Sequence, residues 1–267
     1  MQVKGFRKQL LLPAEHGTWS WLIVPYFVGL GIAGSFNLGA LLVFVGSMSI
    51  FLTRQPATVW LRVRRGRGRK RDGPIAARVL LGLCLLGLVC LLGLLALGLQ
   101  DIFWLTLPMA GLIVVYLSAA LSQRTRTRTL WMEMAGAAGL ALTAPAAMIT
   151  VQEEVTTTVW FIWILVALQN VLGALYVRLR LADTHGRLVD RWPLLLIHAL
   201  VFLGVVGTAV FDYVPLLTTV PFLGFLLRAL WTYPQPRPIP NIKKFGFTEI
   251  GVEIAGGLVF VLAYAVW

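Results

Sequence analysis

The residues of this chain that could do chemistry gather at a few points in an otherwise apolar sequence. The densest group runs Gln169-Asn170-Val171-Leu172-Gly173-Ala174-Leu175-Tyr176-Val177-Arg178-Leu179-Arg180-Leu181-Ala182-Asp183-Thr184-His185-Gly186. On a helix, Gln169, Gly173, Tyr176 and Arg180 fall at offsets of 0, 4, 7 and 11 and form one polar stripe, with Asn170 and Arg178 on the adjoining one. Lipid cannot satisfy such groups, so they face either a neighbouring helix or a ligand. The two amides suit helix-to-helix hydrogen bonds as well as a binding cavity. The two arginines could hold a phosphate or carboxylate through paired N–H donors, or reach out to the membrane interface on their apolar stems.

Other candidates are scattered. Glu15 and His16, in Leu12-Pro13-Ala14-Glu15-His16-Gly17-Thr18-Trp19, could bind a polar headgroup or move a proton, or simply start a helix. Arg62 opens a polybasic loop that runs to Arg71, and Arg124 opens a second with Arg126 and Arg128. Such runs rest on anionic lipid headgroups. No aromatic residues alternate with these arginines to stack bases, so nucleic acid is excluded as a partner. Glu133 enters an apolar stretch and needs a basic neighbour, Arg128 or an arginine from another loop. Glu249 and Glu253 share a helical face beside Lys243 and Lys244, an arrangement open to a salt-bridge network, a proton or Mg²⁺. His185 and His198 stand apart from each other and from His16, so no metal site is expected. Cys84 and Cys90 lie within one apolar run and behave as small hydrophobes.

What must position these residues is a set of membrane helices. Of the 267 residues, 58% are of hydrophobic type and 13% charged, against roughly a quarter charged in a soluble domain. That composition excludes a soluble enzyme. Apolar stretches predict nine spans near 18–34, 38–53, 75–98, 103–122, 130–149, 157–179, 194–210, 213–231 and 247–266, in an all-α single domain over 1–267. The first two, and the seventh and eighth, should form tight hairpins. The basic start before residue 18 reads as part of a retained first helix, because Pro13, Glu15 and His16 interrupt the run a signal peptide would need.

Charge orients the bundle. All 23 Lys and Arg residues fall in the N-terminal tail or in the segments 54–78, 124–128, 178–191 and 228–244, which share one side if there are nine spans. The opposite turns carry Asp101, Glu153, Glu154 and Asp212 instead. Cytoplasmic loops are enriched in Lys and Arg, so the N-terminus is expected inside and the C-terminus outside. The net charge of +12 is thereby mostly topology rather than a partner. Pro234, Pro236, Pro238 and Pro240 make a stiff connector, read as a spacer.

Three motifs, Leu11-Leu12-Pro13-Ala14-Glu15-His16-Gly17-Thr18-Trp19, Leu175-Tyr176-Val177-Arg178 and Lys243-Lys244-Phe245-Gly246-Phe247-Thr248-Glu249, resemble the YwiC-like family of bacterial integral membrane proteins. The resemblance implies a multi-pass protein of the plasma membrane and names no reaction. The architecture is also similar to UbiA-type intramembrane prenyltransferases, with Tyr116 to Gly139 as the local match. That likeness implies a nine-helix UbiA-like bundle, a cytoplasm-facing cavity and two aspartate-rich loops that hold Mg²⁺ on a prenyl diphosphate. This sequence departs from both loops: Asp72 stands alone among arginines after span two, and only Asp183 and Asp190 follow span six. The expectation is therefore binding of an anionic or isoprenoid-like amphiphile by Glu15, His16, Arg62, Arg124, Gln169, Asn170, Tyr176, Arg178 and Arg180, without a cofactor. A divergent Mg²⁺-dependent prenyltransferase is the first alternative and a small-solute transporter the second.

Overall fold

The computed structural model describes residues 17–66, 68–121 and 130–267. Among them there is no strand. The helices are α1 (Gly17–Ala33), α2 (Leu38–Arg64), α3 (Asp72–Ala96), α4 (Thr106–Leu121), α5 (Leu130–Leu140), α6 (Thr143–Gln152), α7 (Thr157–Thr184), α8 (Trp192–Val210), α9 (Thr219–Thr232) and α10 (Ile242–Ala265). A 3-10 helix, Gln100–Leu105, precedes α4, and a single 3-10 turn, Leu216–Thr218, precedes α9. A chain this apolar has to satisfy its backbone N–H and C=O groups internally, and the helix does so within one segment. Asparagines start two of the helices: Asn37 Oδ1 accepts from Ala40 N at 2.8 Å, and Asn241 Oδ1 from Lys244 N at 2.9 Å.

Six segments are long and apolar enough to cross a bilayer: α2, α3, the α5–α6 stretch 130–152, α7, α8 and α10. The remaining predicted spans, 18–34, 103–122 and 213–231, coincide with shorter apolar helices. Several helices outrun their apolar cores, with α2 continuing to Arg64 and α7 to Thr184, so charged residues at their ends are held on rigid helix.

The chain divides into two compact units. In the first, Phe36–Gln100, α2 and α3 pack antiparallel, with Leu42 facing Gly93, Gly46 facing Cys90 and Ser49 facing Gly87. Leu81, Leu85, Leu88, Val89 and Leu92 of α3 are exposed, an outer surface suited to acyl chains. In the second unit, α1 packs on α6 and α10, α7 on α5 and α6, and α8 on α9. The hairpin expected for the seventh and eighth spans is the α8–α9 pair. Within its own unit α1 packs on α6 and α10, and within the first unit α2 packs on α3.

The expected fifth span is broken into α5 and α6 within the core, where every residue from Ala141 to Thr150 is buried. Pro145 is the cause, since it has no N–H for the carbonyl of Ala141 and its ring crowds that carbonyl. At the end of α5, Ala138 O and Leu140 O lose their i+4 donors, because Leu142 N turns to Gly139 O and Ala144 N to Ala141 O, while Ala137 O keeps Ala141 N at 3.3 Å and gains a second donor. Asn170 Nδ2 takes Ala137 O at 3.2 Å, Trp163 Nε1 takes Ala138 O at 3.2 Å, and Thr143 Oγ1 takes Leu140 O at 3.0 Å. The same logic applies in α1, where Pro25 withholds an N–H from Trp21 O and Asn170 Nδ2 donates to that oxygen as well, at 3.2 Å. Close approach of α1 to α6 requires Gly29, whose missing Cβ would lie 2.7 Å from the carbonyl carbon of Ala144.

Candidate functional site

The polar stripe of α7 divides into two regions with different partners. Nearer the middle of the helix, Gln169 and Asn170 are each 1% exposed. Gln169 Nε2 donates to Glu253 O on α10 at 2.9 Å, and Asn170 ties α7 to α1 and α5 as above. Glu253 in turn accepts from Ser20 Oγ of α1 at 2.5 Å. Through their nitrogens these amides join helices.

Toward the C-terminal end of α7 lies a cluster built from five segments: α7, the residue before α8, α9, the proline-rich connector and α10. Arg180, one turn after Tyr176, donates from Nη1 to the Tyr176 hydroxyl at 2.8 Å and from Nε to Arg237 O at 2.7 Å. Its guanidinium also sits 5.4 Å from the Trp231 ring and 5.2 Å from the Phe245 ring. Arg228 of α9 lies 3.9 Å over the Tyr176 ring, and its Nη2 donates to both Glu249 oxygens, at 2.5 and 2.6 Å. Arg237 stacks 4.3 Å over Trp231. Asp183, its side chain 1% exposed, accepts from Arg191 Nη2 and, at 2.8 Å, from Arg237 N. Arg191 completes the ring by donating from Nη1 to Thr232 O at 2.7 Å.

The proline-rich connector is part of this cluster and not merely a spacer. Prolines at 234, 236, 238 and 240 leave N–H groups only on Gln235, Arg237 and Ile239. Arg237 N is taken by Asp183 and Ile239 N by Thr184 Oγ1 at 2.9 Å, so the extended segment docks on the last turn of α7.

Four guanidinium groups, Arg180, Arg191, Arg228 and Arg237, are thus gathered with two carboxylates, Asp183 and Glu249. Two of their nitrogens, Arg228 Nη1 and Arg237 Nε, are buried with no hydrogen-bond partner. A buried donor left unpaired is costly, and more so on a cation.

The other candidates are placed elsewhere. Arg178 projects from the opposite face of α7, and its Nη1 pairs with Glu133 Oε2 of α5 at 3.0 Å, their side chains 47% and 25% exposed. Glu133 therefore has its basic neighbour, but from α7. Glu249 pairs with Arg228 and not with Lys243 or Lys244. Asp190 Oδ1 accepts from Trp192 N at 3.1 Å. Arg62 is in the first unit, where it lines a shallow open groove on α2 with Thr58, Leu61 and Arg65. Glu15, His16 and Arg124 lie outside the described residues. Among the described residues, no group of three or more His, Cys, Asp or Glu could hold a metal ion.

Arg191, Arg228 and Arg237 were not singled out from the sequence. Arg228 did carry a signal, because it interrupts the apolar run of α9 and a charge inside such a run needs a partner. Arg191 and Arg237 sit in basic connecting segments and look like any orienting charge.

The family model described as YwiC-like protein matches residues 12–148, a little over half of the chain. The chain belongs to the YwiC-like family. With six helices able to cross a bilayer, it is a helical membrane protein. The matched residues span α1 to α5 and most of α6, with Glu15, His16, Arg62, Arg124 and Glu133 among them. The arginine cluster of α7 to α10 lies beyond the match. No curated protein and no solved structure matches the chain.

Proposed function

We propose that the arginine cluster of α7, α9, α10 and the proline-rich connector binds the anionic headgroup of a membrane amphiphile, a phosphate or diphosphate on an isoprenoid-like or acyl tail. The observation that carries the reading is the imbalance of four guanidinium groups against two carboxylates, with Arg228 Nη1 and Arg237 Nε buried and unpaired. A phosphate oxygen is the acceptor those nitrogens lack, and planar guanidinium groups take phosphate bidentately. Tyr176, Trp231 and Phe245 surround the charges with apolar rings that exclude water and strengthen the pairing. A nine-span arrangement with the N-terminus inside would put this end of α7 at the cytoplasmic face of the plasma membrane, where anionic headgroups are abundant.

The test is thermal unfolding and native mass spectrometry of the detergent-purified protein with geranyl diphosphate and with phosphatidic acid, each with and without Mg²⁺. Stabilisation and a bound mass are expected without Mg²⁺, lost in Arg237→Gln and kept in Arg178→Ala. No stabilisation by either compound would sink the reading. Release of diphosphate with Mg²⁺ would instead favour the prenyltransferase alternative. The buried break between α5 and α6 lends support to the transporter reading, since transporters place interrupted helices inside the bundle. Substrate-dependent uptake into proteoliposomes would decide for it.

A further inference from the structure

Three hydrogen bonds close a triangle between α1, α7 and α10 within the second unit. Ser20 Oγ of α1 donates to Glu253 Oε2 of α10 at 2.5 Å, Gln169 Nε2 of α7 donates to Glu253 O at 2.9 Å, and Asn170 Nδ2 of α7 donates to Trp21 O of α1 at 3.2 Å. The residues involved are neighbours in sequence on each helix, so the three bonds mark a single junction. Three polar side chains of this junction also have an oxygen left over. Glu253 Oε1, Gln169 Oε1 and Asn170 Oδ1 are buried with no hydrogen-bond partner.

Among the described residues, no positive charge or further donor meets these three oxygens. Glu253 is 7% exposed, and it makes no ion pair with a described residue. Lys243 and Lys244 stand more than two turns back, at the start of α10, and the nearer charged groups on the helices around it are committed elsewhere. Glu249, one turn back on α10, pairs with Arg228, and on α7 Arg180 and Asp183 belong to the arginine cluster while Arg178 pairs with Glu133. The described part of α1 carries Tyr26 and no charged residue. A buried carboxylate with uncompensated charge is expensive, and unpaired amide oxygens beside it add to that cost. Three oxygens with no opposing donor are what a hard cation coordinates, and a single carboxylate matches a single positive charge.

We propose that Glu253, Gln169 and Asn170 form a site for a dehydrated alkali cation, Na⁺, at the junction of α1, α7 and α10. The bound ion would neutralise Glu253 and take the leftover oxygens of two helices as ligands. With Ser20 already tied to Glu253, it would fasten all three helices together. This site is separate from the arginine cluster, and neither proposal depends on the other.

The test is thermal unfolding of the detergent-purified protein in NaCl titrated against choline chloride at constant ionic strength and fixed pH, with KCl and LiCl as further arms. Wild type should gain melting temperature saturably with Na⁺, and Glu253→Gln should lose that dependence while Glu154→Gln keeps it. If Glu253→Gln does not fold, equilibrium binding of radioactive Na⁺ to wild type answers the same question: binding displaced by excess Li⁺ but not by choline supports the site, and no displaceable binding overturns it. Identical melting in Na⁺, K⁺, Li⁺ and choline overturns the proposal. A response to pH alone, or a Na⁺ response that survives in Glu253→Gln, also overturns it.

Discussion

Replacing Asp183 with asparagine should unfasten the end of α7 from the connector and α8. Its carboxylate accepts from Arg191 Nη2 and from Arg237 N, and the side chain is 1% exposed. A hydrogen bond to a charged group contributes about 1.5–3 kcal/mol, and removing one partner of a buried ion pair costs about 3–5 kcal/mol. Asparagine keeps one acceptor oxygen, and the Arg191 side chain retains 13% exposure, so the lower end applies and the loss should be about 3 kcal/mol. For a chain of this size that corresponds to a melting point lowered by about 6–12 °C. Tryptophan fluorescence during heating in detergent measures it. Asp190→Asn, which disturbs one exposed helix-start bond to Trp192 N, should cost no more than about 1 kcal/mol. Running both in EDTA separates this account from metal ligation, because a structural carboxylate matters equally without metal. A shift below about 2 °C for Asp183→Asn, or a shift that vanishes in EDTA, would refute the reasoning.

Three further outcomes follow from the packing. Gly29→Ala places a methyl group 2.7 Å from the Ala144 carbonyl carbon and should cost about 1–3 kcal/mol or more, whereas Gly207→Ala on α8 meets nothing within 4 Å and should be neutral or stabilise by up to about 1 kcal/mol. Equal melting of the two would count against the α1–α6 contact. Arg178→Ala should change stability by less than about 1 kcal/mol, since that arginine is 47% exposed in its pair with Glu133, and a larger loss in the same assay would mean the pair is more buried than this. Single cysteines at Asp101 and Glu154, in a background without Cys84 and Cys90, should react with an impermeant thiol reagent added outside intact cells, and a cysteine at Arg69 should react only after lysis. Labelling of all three from one side would reject the nine-span orientation.

Helix positions were legible from apolar runs because the backbone in lipid has few alternatives to a helix. The break between α5 and α6 was not legible in the apolar run 130–149, because it depends on Pro145 meeting a packed core and on Trp163 of α7 supplying a donor to the freed Ala138 carbonyl. Spacing on α7 placed Tyr176 and Arg180 on one face, and they are bonded. It also suggested a shared site for Arg178 and Arg180, but two residues on a helix differ by about 200° in direction. Arg178 accordingly meets α5 while Arg180 meets the connector. Arg237 escaped notice because its partners Arg180 and Asp183 are more than fifty residues away and nothing local distinguishes it from an orienting charge.

By itself the sequence determined that this is a helical membrane protein of the YwiC-like family, with its basic residues collected in a few segments. Those properties depend on composition and on intervals within single helices, which the chain states directly. Tertiary structure alone decided which charges matter. It brought Arg228, Arg237 and Arg191 from separate elements around α7, turned a proline-rich spacer into a docked strap, and left Glu253, Gln169 and Asn170 each with an unpaired oxygen. The physical reason is that burial and pairing are properties of places where helices meet, and those places join residues that the sequence holds far apart.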